Sequence, residues 1–307
     1  MTIIPPEDEG VDTKNLIPEK VQEIKETLSM GVKNILHLGI WILISVIFFV
    51  SAPASAANHY IRAGATGSNN GSSWANAWTT FAAVTWTRGD TYYVAGGTYT
   101  ENVSIPSLSG TSWIIVKKAN VTDNGSDAGW DASYASTQAV IQGELTSSAS
   151  YLEINGVTGG NGITEASATY GIYIYNSNLS YPVVYASGTS FIYLHYIDIE
   201  GAGYTEPSSQ DGFYWNNPSN QKGLHLAHCW IHNVSRNGVT LSNAVGTSWS
   251  DYSLLFENNL LSETGGVTNP DDHGQGMQWY GGTDQYTVIR NNVFRNITGT
   301  ASIAFLG

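Results

Sequence analysis

The chain has a single cysteine, Cys229, so no internal disulfide can staple it. Charge is also scarce: only 12% of the 307 residues are Asp, Glu, Lys or Arg. What charge there is leans one way, 12 Lys and Arg against 25 Asp and Glu, a net of −13. Phosphate backbones need a basic footprint, so nucleic acid is not an expected partner. Beyond the N-terminal region the repeated part of the chain shows no helical period. Gly, Asn, Ser, Thr and Tyr are abundant instead, a composition that suits a β-solenoid surface better than a disordered chain. The acidity is accounted for by solubility, with calcium binding as the functional alternative.

The chain does contain a repeat. Ile289-Arg290-Asn291-Asn292-Val293-Phe294 lies over Phe256-Glu257-Asn258-Asn259-Leu260-Leu261. That segment lies over Leu226-Ala227-His228-Cys229-Trp230-Ile231, and that in turn over Leu194-His195-Tyr196-Ile197-Asp198-Ile199. The spacings are 33, 30 and 32 residues, and an earlier copy at Ile154-Asn155-Gly156-Val157 precedes Leu194 by 40. Self-similarity at this period signals a solenoid or a propeller. Strands of three to five residues, with Gly and Asn at the corners, favour a parallel β-helix. Each strand alternates apolar and polar residues, so one side faces the core and the other faces out. Cys229 falls on the inner side. Asn259 and Asn292 recur at one corner, where an asparagine side chain can bond the coil next door. Glu257 and Arg290 occupy equivalent outward positions on neighbouring coils, which predicts an ion pair.

This pattern resembles the right-handed parallel β-helix superfamily, the pectate-lyase-like fold. Residues 60–97, YIRAGATGSNNGSSWANAWTTFAAVTWTRGDTYYVAGG, are similar to the opening segment of many secreted β-helix proteins, one pectate lyase family among them. The resemblance covers residues 60–307. It implies an all-β, single-stranded solenoid with a short N-terminal capping helix, and a secreted protein that degrades or binds an extracellular polysaccharide, with a uronan as the lyase-like substrate. The Lys/Arg base and the calcium-binding Asp cluster of pectate lyases find no matching positions here. The alternative reading is a non-catalytic surface or adhesive protein that binds glycan. Either way a monomer is expected.

Four stretches follow in order. Residues 1–29 read as a polar leader, and Met30 offers a neater start. Residues 30–57 read as a signal peptide: the apolar run at 35–50 is shorter than the roughly 20 residues that span a bilayer comfortably, and Ala54-Ser55-Ala56 fits the small-x-small cleavage pattern. This predicts a secreted, cell-surface or periplasmic protein, bacterial in character, that meets the membrane only in transit. Residues 58–138 form the cap and first coils, with a helix expected over 74–84, capped by Ser72 or Ser73 and burying Trp78, Phe81 and Ala82 on one face. Strands are expected at 91–95 and 112–117 and a loop at 119–135. Residues 139–307 are regular coils. The last residues, 301–307, align with the middle of a coil, so the sequence reads as a fragment of a longer protein.

The candidate site residues fall into two groups. Strands that follow Gly corners align as Gly171-Ile172-Tyr173, Gly212-Phe213-Tyr214, Gly238-Val239-Thr240 and Gly276-Met277-Gln278. This alignment stacks Tyr173, Tyr214, Thr240 and Gln278 as an outward stripe on neighbouring coils, and Tyr173, Tyr214 and Gln278 are the expected saccharide contacts. A tyrosine ring offers an apolar face and a hydroxyl, which matches what a sugar presents. The second group is catalytic: Asp271, Asp272 and His273 in a loop before a stripe strand, with Asp211 before Gly212. Carboxylates with a histidine can hold a cation or do acid–base work on a glycosidic bond. The DDHG run is similar to the Asp-Pro-His-Asp motif of β-helix mannuronan epimerases, but in a different order, so no role carries across. Calcium is the one cofactor suggested, with Asp123, Asp127 and Asp131 as candidates; their spacing of four departs from the alternation of two in an EF-hand loop. Of His225, His228 and His232, His228 falls on the side of a strand opposite His225, which argues against a compact zinc site.

Overall fold

The computed structural model describes residues 16–49, 56–159, 170–180, 182–206, 209–217, 221–250, 252–266, 274–281 and 286–306. The chain divides into two units, Met1–Ser55 and Ala56–Gly307. The first contains one long helix, Leu16–Phe49, which runs through both the polar leader and the apolar segment. Among the described residues no helix is long and apolar enough to cross a membrane. The candidate cleavage site at Ala54-Ser55-Ala56 straddles the edge of the described residues.

The second unit is a parallel β-helix. After an opening strand, Asn58–Ile61, the strands take three sheets in strict rotation. Thr91–Val94 belongs to the first sheet, Gly97–Tyr99 to the second and Val103–Ile105 to the third, and the next strand, Ile114–Lys118, returns to the first. The rotation continues to Ala301–Leu306, so among the described residues the first sheet holds eight strands and the other two hold seven each. All pairings are parallel and join residues one coil apart. The repeat read from sequence is the register of the first sheet: Val116, Ile154, Leu194, Leu226, Phe256 and Ile289 are successive Cα partners.

Alternation produces this arrangement. In Leu152–Asn155, Ile192–His195 and Leu254–Glu257 the first and third residues are buried and the second and fourth half-buried. The buried set of all three sheets meets in one continuous apolar column, from Ile61 and Trp78 at one end to Met277 and Trp279 at the other. No coil encloses its inner residues alone, so each depends on the coils on either side.

The capping helix expected over 74–84 is not formed. Only Phe81–Ala83 makes a single 3-10 turn, whose Phe81 and Ala82 N–H groups donate to the Glu101 carboxylate at 2.7 and 3.0 Å. The reason lies in where the aromatic rings go. Trp74 packs beside Tyr60 and Tyr93, whereas Trp78 and Phe81 pack on the main core and Ala82 is exposed. One short helix could not serve both clusters. Instead Trp78 bridges to Ile61, so backbone pairing extends past the opening strand. The loop expected at 119–135 carries two single helical turns, Val121–Asn124 and Ser133–Ser136.

Candidate functional site

The third sheet carries the outward column that holds two of the three expected saccharide contacts. Its register runs Thr146, Tyr185, Tyr214, Thr240, Gln278. Tyr173 is not in it. Strand Ile172–Tyr175 pairs with Ile197–Glu200 in the second sheet, and the tyrosine beside Tyr214 is Tyr185, from Val184–Ser187. The Gly171 corner precedes the second sheet and the Gly212 corner the third, so aligning strands on glycine mixed two faces.

Tyr185 and Tyr214 meet edge to face, with ring centroids 5.6 Å apart, and both are half-buried. Asn216 donates to the Tyr185 hydroxyl at 2.8 Å. Gln278 is nearly buried; its Oε1 accepts from Asn237 at 2.7 Å and from the Tyr280 hydroxyl at 3.3 Å. Burial pushes the Tyr214 pKa up, so the ring presents a neutral phenol.

Asp211 lies at the corner leading into this sheet, and its carboxylate is fully buried. Arg236 grips both oxygens, and Asn237 N–H donates to Oδ1 at 3.1 Å. Burial raises its pKa, opposed by Arg236 and Asn237. The structure therefore places Asp211 as the anchor of a corner. Asp271, Asp272 and His273 lie outside the described residues.

On the second sheet, the Tyr173 hydroxyl donates to the Glu200 carboxylate, and burial with that neighbour raises its pKa. His232 bonds Asp198 at 2.9 Å and stacks on Trp230 at 3.7 Å between ring centroids. The three histidines of HLAHCWIH thus separate: His225 faces out of the first sheet, His228 turns the corner with φ of 56°, and His232 belongs to the second sheet. Among the described residues no three His, Cys, Asp or Glu side chains converge as a metal site. The aspartates weighed for calcium join separate local contacts. Asp123 pairs with Lys117 at 2.5 Å, Asp127 accepts from Asn124 at 2.9 Å, and Asp131 accepts from Ser133 N–H at 2.8 Å.

The first sheet holds a cluster that the sequence reading missed. Arg290 contacts Glu257 at 2.5 Å, the ion pair expected from the repeat. Glu257 Oε1 lies 3.2 Å from His225 Nε2, and His225 Nδ1 lies 3.1 Å from His195 Nε2. His195 Nδ1 lies 3.9 Å from Glu153 Oε1, which accepts from Asn155 at 2.9 Å. A chain of polar groups therefore crosses five coils. His195 and His225 belong to different outward columns, because Tyr193, not His195, is the Cα partner of His225. An alignment by column does not bring them together; only the diagonal reach of the side chains does. The available signal was the pair of outward histidines on adjacent repeats.

Compared with known proteins, the chain matches no family model, no curated protein and no solved structure.

Proposed function

We propose that this is a secreted β-helix protein that binds an extracellular polysaccharide along its third sheet. The supporting observation is the Tyr185–Tyr214 pair on successive coils, with the amide of Asn216 beside it and that of Gln278 two coils further along the same column. Coils repeat every 4.8 Å or so, which sets aromatic and amide groups along a line that a chain of sugars can follow. Half-buried rings offer apolar faces, and the amides offer hydrogen bonds to hydroxyls. Export rests on the signal-peptide reading of residues 30–57. Turnover of the bound glycan, in the manner of the pectate-lyase-like superfamily, is the enzymatic form of this proposal and rests on Asp271, Asp272 and His273. The form best supported is binding, because Asp211, the one candidate acid in the described residues, is committed to Arg236.

Affinity electrophoresis through gels containing soluble polysaccharides tests this. Wild type should be retarded by at least one glycan. Tyr185→Ala with Tyr214→Ala should weaken retention roughly tenfold or more, about 1 kcal/mol per ring. Unretarded migration of wild type through every glycan gel defeats the proposal.

A further inference from the structure

The polar chain on the first sheet has a direction, set from its charged end. Arg290 holds Glu257 as a carboxylate, below the usual range, against the opposing effect of burial. A carboxylate only accepts, so His225 Nε2 carries its proton. Burial keeps His225 neutral, which leaves its Nδ1 with a lone pair facing His195 Nε2. That nitrogen must then be the donor. His195 is also held neutral by burial and by its histidine neighbours, so its Nδ1 ends the chain as an unprotonated acceptor. Glu153 Oε1, at 3.9 Å, is beyond hydrogen-bond reach and supplies a second acceptor.

An aromatic wall stands beside that acceptor. Tyr193 stacks on His195 with centroids 5.8 Å apart, and Trp113 lies 4.5 Å from Tyr193. Tyr252 is hydrogen-bonded to Tyr193 from the loop that precedes strand Leu254–Glu257. All three rings are half-buried.

We infer that this face is a second glycan-binding site, specific for neutral saccharides, in which a sugar ring packs on Trp113 and Tyr193 and donates hydroxyls to His195 Nδ1 and Glu153. The inference rests on the polysaccharide reading and adds a ligand class to it. Two cations stand in the outward columns of this sheet, and each has a carboxylate: Lys117 with Asp123 and Arg290 with Glu257, both at 2.5 Å. Glu153 pairs with neither of them; it lies 3.9 Å from the neutral His195 and so adds a negative charge beside the acceptor. A uronate carboxylate would meet acceptors and like charge; a neutral hydroxyl meets groups that lack donors. The fixed tautomers matter because a preorganised acceptor costs no reorganisation on binding.

The test is affinity electrophoresis of the full chain through hydroxyethylcellulose, a neutral β-glucan, and through polygalacturonate. Wild type should be retarded by the first more than the second. His195→Phe keeps the ring volume and removes the acceptor; it should weaken retention on the neutral glycan about tenfold, as should Trp113→Ala. If either variant melts far below wild type, Glu153→Gln, at a half-buried position, replaces it and should narrow the preference for the neutral polymer. Retention on polygalacturonate alone, or wild-type retention by both His195→Phe and Trp113→Ala, overturns the inference. Loss of retention only in Tyr185→Ala with Tyr214→Ala leaves the third-sheet reading intact and removes this one. No retention of wild type on any glycan removes both.

Discussion

Asn292 Oδ1 accepts two hydrogen bonds from Asn259, one from its backbone N–H at 2.9 Å and one from its side-chain amide at 3.1 Å. Asn259 does the same for the coil below: its Oδ1 accepts from Cys229 N–H at 2.9 Å, and its amide also donates to Leu226 O at 2.9 Å. Two side chains thus satisfy a corner where the backbone leaves the sheet ladder. Asn259 is fully buried. Asn259→Ala should lower unfolding free energy by about 2 kcal/mol, because buried donors and acceptors are left without partners. Asn292→Ala, nearer the end of the stack, should cost less. Urea denaturation of the two variants measures the difference, and equal losses would contradict this account.

One residue before each ladder position the backbone is left-handed. Tyr196, His228, Asn258 and Asn291 have φ between 55° and 58°; in the earlier coil the left-handed residue falls one position later, at Val157, with φ of 69°. Asparagine tolerates this region; a β-branched side chain does not. Val157→Asn should therefore stabilise the protein by roughly 1 kcal/mol. A lower melting temperature for this variant would show that the valine side chain contributes packing worth more than the strain.

The Asp211–Arg236 pair, with a fully buried carboxylate, is costly to break. Asp211→Ala removes a fully buried carboxylate that two Arg236 nitrogens and the Asn237 N–H bond. A loss of about 3 kcal/mol is expected, in line with removing one partner of a buried pair. Thermal unfolding should show it, whatever the variant's glycan retention.

His195 makes stability depend on pH in a stated direction. Burial, with His225 and His228 nearby, lowers its pKa from 6.5 to about 4. Between those values the unfolded chain binds a proton that the folded chain does not. Folding therefore weakens as pH falls from about 6.5 towards 4, and the contribution is complete above that window. His195→Phe should flatten the unfolding free energy between pH 6.5 and 4 relative to wild type. Parallel curves for the two proteins would rule out this assignment.

Cys229 lies wholly inside the core, and burial pushes its thiol pKa up to about 12. The thiolate is the reactive form, so alkylation by iodoacetamide at pH 8 should be negligible in the native protein and prompt in urea. Rapid native labelling would mean that the coils around Leu226–Ile231 open far more readily than their packing implies.

Much of the first sheet was legible in the sequence. The aligned run from Ile154 to Ile289 is the observed register, Asn259 with Asn292 forms the expected ladder, and Glu257 with Arg290 forms the expected ion pair. The third-sheet stripe was half legible: Tyr214 and Gln278 share a column, while Tyr173 belongs to the second sheet and Tyr185 takes its place. Glycine caused the error, because it marks any corner of the coil and carries no label for which one.

By itself, then, the sequence determined that the chain coils, how long each coil is, and which residues face inward. Those properties follow from alternation and period, which are local and survive variation in loop length. Only the tertiary structure decided which sheet each strand enters, that Trp74 and Trp78 pack in separate clusters and so exclude the expected helix, and that His195 reaches His225 across a diagonal. Those depend on hydrogen bonds between residues about thirty positions apart and on the direction of side chains. Two strands with the same inward pattern are interchangeable until their backbone partners are chosen.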